Sequence, residues 1–298
     1  RGCSGPEAAD MGQGGLRRVL REHRRPTLRA QVAEGQAGRD AIDEPIHGPP
    51  VERYPVVTAT DGRTALRLIE EVQGKMRAWA DGQGLGPDRC GIYAADVAHP
   101  HAIVTAGEHC LAAQGVPDVV IANAGISVGM DTAEREDLDT MRETFATNNV
   151  GLAATFHPFV AGMRQRRHGT LVGIASVAAI RGLPGHGAYC ASKAGVVAYC
   201  ESLRGECRPW GIRVVTLLPG YIATPLTARN RYPMPFLMAA DAFADRAFRA
   251  IEAGASYRVI PWQMAIVAKL LRLLPNPLFD RLFAGRGRKP RRAKKPAG

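Results

Sequence analysis

At 298 residues with 46% hydrophobic side chains, the chain is long enough for one large α/β domain with a full core. No run of roughly 18 uninterrupted apolar residues occurs, which argues against a membrane-spanning helix. The net charge of +11 suggests a nucleic-acid partner until it is located, because seven of those charges (Arg286, Arg288, Lys289, Arg291, Arg292, Lys294 and Lys295) follow Phe283 in a stretch without acids. The remainder is unremarkable, so no nucleic acid is expected as a partner.

Residues 1–88 are the least regular part. The opening RGCSGPEAAD starts on Arg rather than Met and lacks the apolar core of a secretory signal, which points to a beginning that is missing or processed. Gly12-Gln13-Gly14-Gly15 precedes Leu16–Arg25, a plausible helix, but nothing before it reads as a strand. Arg29–Val51 reads as loop, and Pro55–Thr60 with Thr64–Trp79 as one strand–helix unit. From Gly91 the pattern sharpens. Gly91–Ala95 reads as a strand ending in Asp96-Val97, His101–Gln114 as a helix, and Asp118–Ala122 as a buried strand running into Asn123-Ala124-Gly125. Leu138–Arg167 reads as one long helix, kinked at Pro158, that contains Asn148-Asn149-Val150-Gly151.

Thr170–Ser176 is a further buried strand. Gly182, Pro184, Gly185 and Gly187 then make turns into a helix opening at Tyr189-Cys190-Ala191-Ser192-Lys193. Ile212–Leu218 is another strand, closing in Pro219-Gly220-Tyr221-Ile222-Ala223-Thr224. The loop Leu226–Met238 carries Tyr232, Met234, Phe236 and Met238, which either line a pocket or pack on the core. Asp241–Ala253 reads as a helix and Tyr257–Pro261 as a last strand. Gln263–Phe283 has apolar residues at helical spacing (Val267, Leu270, Leu271, Leu274, Leu278, Leu282), broken at Pro275 and Pro277. Residues 284–298 read as a basic, disordered tail. The six cysteines show no Cys-x-x-Cys and no His cluster, so they read as reduced thiols with no metal site, and Cys190 as a packing residue.

The chemistry concentrates between Ser176 and Lys193. Tyr189 and Lys193 are one helical turn apart on one face. A free phenol titrates near 10, so acting as acid/base near neutrality requires about 4 kcal/mol of stabilisation of its anion. An ammonium about 4 Å away at an effective dielectric of about 20 supplies that amount. Ser176, at the strand's end, is placed to hydrogen-bond a substrate oxygen.

These residues resemble the Ser-Tyr-Lys triad of the short-chain dehydrogenase/reductase family, and the resemblance runs from about Gly91 to at least Ala253. It implies a Rossmann-like, doubly wound parallel sheet in a three-layer α/β/α domain, an NAD(P)(H) cofactor, and hydride transfer between nicotinamide and a carbonyl or secondary alcohol. It also implies that Tyr189 is the acid/base, that Lys193 lowers its pKa and binds the nicotinamide ribose, and that Ser176 positions the substrate. Asn148, with Asn149 as the alternative register, then completes a proton relay. The same resemblance puts Asp96 against the adenine, Asn123, Ala124 and Gly125 beside the ribose, and Pro219, Gly220, Ile222 and Thr224 around the carboxamide and phosphate.

The sequence departs from the family before Gly91. Of the family's glycine-rich phosphate loop only Gly12 and Gly14 remain as candidates, an ordinary flexible terminus being the alternative, so weak cofactor binding is expected. Genuine divergence and translation partly out of frame explain residues 1–88 equally well. NAD and NADP are both open, and a catalytically silent relative is the rival reading. The resulting organisation is a divergent part at 1–88, a family core at 89–262, an amphipathic segment at 263–283 and the tail at 284–298. An apolar carbonyl or alcohol is the expected small-molecule substrate and the cytoplasm the expected location. The segment 263–283 with its tail either lies on an anionic membrane surface or packs on the body, caps the pocket or forms a homo-oligomer contact. On the membrane reading, the tail is separable from catalysis.

Overall fold

The computed structural model describes residues 90–228, 230, 233–285 and 289–291, together with positions 74, 77, 78 and 80–82. Gly12, Gly14, Tyr232 and the expected unit at Pro55–Thr60 lie outside the described residues.

Four short apolar strands build the sheet: β1 (Val119–Ala122), β2 (Gly169–Ile174), β3 (Ile212–Pro219) and β6 (Tyr257–Ile260). They run parallel in the order β1-β2-β3-β6, with Val119 opposite Thr170, Val172 opposite Val215 and Leu218 opposite Val259. Such strands are buried on both faces and need crossover helices. These are α1 (Pro100–Gln114), α2 (Asp137–Phe145), α3 (Gly151–Arg166), α4 (Gly187–Cys207) and α6 (Ala240–Glu252). Alternation along each strand sorts the core. Val120, Leu171, Val214 and Leu218 face a layer with Phe156, Phe159 and Met163 of α3 and Val196, Cys200 and Leu203 of α4. Ile121, Val172, Val215 and Leu217 face Ala247, Ala250 and Ile251 of α6 on the other side. This is the three-layer α/β/α Rossmann arrangement expected from the sequence. A two-residue pair, β4 (Ile222–Ala223) with β5 (Met238–Ala239), brackets the short helix α5 (Pro225–Ala228) after β3.

Three expectations change. Gly91–Ala95 forms no strand, since a strand is defined by its ladder and no described neighbour pairs with this stretch. The expected long helix is two α-helices joined by a π-helical turn, Ala146–Val150, in which the Gly151 N–H reaches back to the Ala146 carbonyl. Its irregularity falls at Asn148, ten residues before Pro158. A β-carbon on Gly151 would collide with Val97, so glycine there lets the 91–97 segment pack on the wide turn. Pro158 itself sits against Gly107 of α1, whose missing side chain makes room for the proline ring.

The third change concerns the tail. Lys289, Pro290 and Arg291 lie against the body, because Arg291 pairs with Glu134 and Asp137 and Lys289 donates to Ser127. Between body and tail, α7 (Trp262–Leu273) and α8 (Asn276–Phe283) follow β6. Arg181 fastens their junction by donating to the carbonyls of Leu271 and Leu274, each at 2.7 Å, and to Asn276 Oδ1 at 3.0 Å. Its guanidinium stacks 4.0 Å over the Phe279 ring.

The α3 side of the core depends on Phe156, which is 1% exposed. Phe156→Ala should destabilise the fold by about 3–5 kcal/mol, measured by urea denaturation, because the cavity cannot close between sheet and helix.

Candidate active site

Parallel sheets place their working groups at the carboxyl ends of the strands, and here β1 and β2 end side by side. After Ile174, the last residue of β2, Ser176 adopts an extended backbone and its Oγ accepts the Ala178 N–H at 3.2 Å. The Ser176 side chain also hydrogen-bonds Tyr189. Lys193, one turn along α4 from Tyr189, is 4% exposed, and its Nζ donates to the Ile174 carbonyl at 2.8 Å. The ammonium lies 5.9 Å from the centre of the Tyr189 ring. Ser176, Tyr189 and Lys193 therefore meet as the sequence suggested.

The electrostatics differ from the simple expectation. Burial pushes the Tyr189 phenol above its ordinary range, and the Ser176 hydrogen bond only partly offsets this. Burial also pushes Lys193 down to about 8. Lys193 spends its hydrogen bond on a backbone carbonyl, so the protein alone holds Tyr189 protonated. Cys190, next to Tyr189, is buried with its thiol pushed up by burial, which fits packing rather than nucleophilic work. Among the described residues no cluster of His, Cys, Asp or Glu is fit to hold a metal ion.

Asn148 is fully buried in the π-turn and clasps the chain after β1. Its Oδ1 accepts the Ile126 N–H at 2.8 Å, and its Nδ2 donates to the Ile126 carbonyl at 3.0 Å. The second Nδ2 hydrogen goes to Ser192 Oγ at 2.9 Å, and Ser192 in turn donates to the Tyr189 carbonyl at 2.9 Å. Asn149 instead donates to the Ser192 carbonyl at 2.8 Å, so both Asn residues bind the active-site helix and Asn148 is the one beside Lys193. A β-carbon on Gly125 would stand 3.1 Å from Lys193 Nζ and 3.4 Å from Asn148 Oδ1. The turn Asn123-Ala124-Gly125 can thus lie against Lys193 and Asn148 because Gly125 has no side chain. Glycine at 125 lets the backbone lie close to a desolvated ammonium, a donor that suits a ribose hydroxyl.

The remaining candidates are more dispersed. Asp96 forms a turn, its carboxylate accepting the Ala98 N–H at 2.8 Å and approaching His99 at 3.1 Å, and it stays largely exposed. Beyond Pro219, the Gly220 N–H donates to the Ile260 carbonyl at 2.8 Å, and Ile222 is buried. The Thr224 carbonyl accepts the N–H groups of Thr227 and Ala228, while its own N–H donates to Thr227 Oγ1 at 3.2 Å.

Sequence reading gave no role to Ser192, although it stands inside the Tyr189–Lys193 motif, and none to Ser127, Gly129 or Asp137. The basic composition of the tail carried the only trace of Lys289 and Arg291, and composition does not show where a charge docks. Lys289 Nζ donates to Ser127 Oγ at 2.8 Å and lies 6.0 Å from the Tyr189 ring centre, so part of the tail reaches the site.

A parallel Rossmann sheet thus gathers a serine, a tyrosine and a lysine at its carboxyl edge. A profile for short chain dehydrogenases matches residues 58–234, more than half of the chain, and the protein belongs to that family. It is 42% identical over 163 residues to an uncharacterized oxidoreductase of Myxococcus xanthus, which covers 55% of this chain and 64% of that protein. It is 34% identical over 218 residues to dehydrogenase/reductase SDR family member 7B of Bos taurus, covering 67% of this chain and 64% of that protein. The chain thus spans a little under two thirds of the length of these relatives. In fold it is similar to a short chain dehydrogenase from Burkholderia cenocepacia solved in complex with NADP, with a TM-score of 0.58 at 22% identity over 68% of this chain and 81% of that one.

Ser192→Ala would strand one Asn148 amide hydrogen in a buried network. A stability loss of about 1–3 kcal/mol in denaturant titration is expected, with Tyr189 displaced.

Proposed function

We propose that the protein is an NAD(P)(H)-dependent oxidoreductase that interconverts a carbonyl and a secondary alcohol. The carrying observation is the buried meeting of Ser176, Tyr189 and Lys193 beside Gly125. When bound, the nicotinamide supplies or accepts the hydride. Ser176 holds the substrate oxygen, and Tyr189 gives it a proton in reduction or takes one in oxidation. Lys193 holds the nicotinamide ribose and, on releasing the Ile174 carbonyl, stabilises the tyrosinate. Asn148 fixes the turn beside Lys193 and leaves one Oδ1 lone pair for a water that returns the proton. Asn123, Ala124, Pro219, Gly220, Ile222 and Thr224 border the cofactor, with Asp96 near the adenine end. Met234 and Phe236 follow β4 as an apolar flap, while Met238 packs on the core through β5, and the half-exposed Phe236 and Leu237 suit a substrate with an apolar body.

The sign of the pH dependence follows from Tyr189. Its raised pKa keeps the phenol protonated through neutral pH, so reduction persists there and is lost as pH rises through that pKa. Oxidation should rise over the same range. Ser176→Ala removes the interaction that lowers the pKa and should move both limbs to higher pH. Tyr189→Phe should cut turnover about a hundred- to ten-thousandfold while NADH and NADPH affinities hold, measured by fluorescence titration. Near wild-type turnover in that variant would overturn the mechanism. No measurable affinity for either nucleotide in the unmodified chain would favour the silent relative instead.

A second reading concerns the surface. The inner sides of α7 and α8 are buried through Met264, Ala268 and Phe279, yet Trp262, Ile266, Leu270 and Leu273 form an exposed apolar stripe at helical spacing. Leu278 and Leu282 extend it along α8, with Lys269, Arg272 and Arg281 exposed nearby. This pattern suits attachment to an anionic membrane surface. Vesicles containing phosphatidylserine should sediment the protein at low salt and release it at high salt, and Leu270→Glu with Leu273→Glu should abolish the effect. Salt-independent self-association lost in the same variant would assign the stripe to a homo-oligomer.

A further inference from the structure

Residues 289–291 are laid across the loop that leads from β1 to α2. The Gly129 N–H donates to the Pro290 carbonyl at 3.1 Å. A β-carbon on Gly129 would collide with the Lys289 carbonyl oxygen, so glycine there permits the close approach. Arg291 Nε donates to Asp137 Oδ2 at 2.6 Å, and its Nη1 lies 3.4 Å from Glu134 Oε1. Asp137 is almost fully buried and also accepts the Asp131 N–H at 2.6 Å. Burial alone would raise its pKa, but the Arg291 and Asp131 hydrogen bonds outweigh burial and hold the carboxyl ionised. Backbone, glycine and ion pairs together form a built seat for this strap.

The seat delivers Lys289 to the catalytic tyrosine. Two ammoniums now lie within about 6 Å of the Tyr189 ring centre, Lys193 at 5.9 Å and Lys289 at 6.0 Å. Lys193 has a role in the proposed reaction, whereas Lys289 has none. Its hydrogen bond goes to a neutral hydroxyl, Ser127, and among the described residues no carboxylate pairs with it. Glu134 and Asp137, two nearby acids, are taken by Arg291, and the Asp131 carboxylate accepts the Ala133 N–H. Burial pushes Lys289 down to about 8, the response of a cation that lacks a counter-charge. The neighbouring His186 is lowered by burial and further by Lys289, so it supplies no negative charge either.

We propose that Lys289 is the substrate's anion anchor, so the carbonyl compound reduced at Tyr189 carries a carboxylate that bonds Lys289 and Ser127. A single point-charge ammonium beside one hydroxyl suits a monoanionic carboxylate better than a phosphate, which favours several donors. Together with the apolar flap, this describes a keto acid with a hydrocarbon or aromatic body. The inference rests on the oxidoreductase reading of the Tyr189 site.

The test uses matched probes: levulinate with methyl levulinate, and benzoylacetate with ethyl benzoylacetate. Their binding to the full chain with NADP+ present is measured by calorimetry. Wild type should prefer each acid over its ester by roughly ten- to hundredfold, the worth of one charge-assisted hydrogen bond. Lys289→Met should bring the ratio near one, and Lys289→Arg should retain most of it. Equal affinity for acid and ester in wild type, or no binding of any probe, overturns the proposal. So does a Lys289→Met variant that turns over esters and acids faster alike, since the strap would then be a plug. Failure of the oxidoreductase reading is separate, because it shows as undiminished turnover in Tyr189→Phe whatever the acid preference.

Discussion

An ammonium buried at the end of a parallel sheet is the constraint around which this site is built. Lys193 can be taken out of water only where something accepts its hydrogens, and the carbonyl of Ile174, at the last position of β2, is that acceptor. Lodging the lysine there fixes the start of α4 against the sheet and so fixes Tyr189 one turn earlier. It also restricts what lies opposite, where any residue larger than glycine at 125 would press on the ammonium. The same burial lowers the pKa of Lys193 and raises that of Tyr189. The protein therefore keeps the phenol neutral and leaves the ammonium a weaker hold on its proton than a lysine in water has.

The π-turn at Ala146–Val150 is the second support. A regular α-helix would carry Asn148 and Asn149 past the active-site helix with one face turned away. The widened turn lets the two adjacent side chains both reach Ser192, one at its hydroxyl and the other at its carbonyl. Asn148 also pairs with both backbone groups of Ile126, as a neighbouring strand would. The chain leaving β1 is thereby fastened to the π-turn, and the strap docks on the loop it forms.

How much of this was legible depends on the range of the interaction. Strands β1, β2, β3 and β6 were readable because burial on both faces demands unbroken apolar runs, and the helices because apolar spacing and Gly/Pro turns are local signals. The triad was readable because Tyr189 and Lys193 are neighbours on one helix. Gly91–Ala95 misled because an apolar run specifies a strand only when a partner pairs with it. The π-turn was invisible, since the groups packed on it, Val97 and Ser192, come from elsewhere in the sequence. The tyrosine's raised pKa was missed because proximity to lysine was weighed and desolvation was not. The strap was missed because seven like charges in a stretch without acids read as solvated chain, whereas the acids that seat Arg291 lie far away in sequence.

That separation shapes how the molecule comes together. The bond from Lys289 to Ser127 spans 162 positions, and that from Arg291 to Asp137 spans 154. Contacts of such range close late, after the loop-closure entropy has been met by the sheet. Synthesis from the amino end delivers Ser176, Tyr189 and Lys193 well before the strap, so a nascent chain assembles its triad while the Ser127–Asp137 seat is still bare. Until residues 289–291 emerge, Asp137 and Glu134 lack the Arg291 guanidinium that pairs with both in the finished fold.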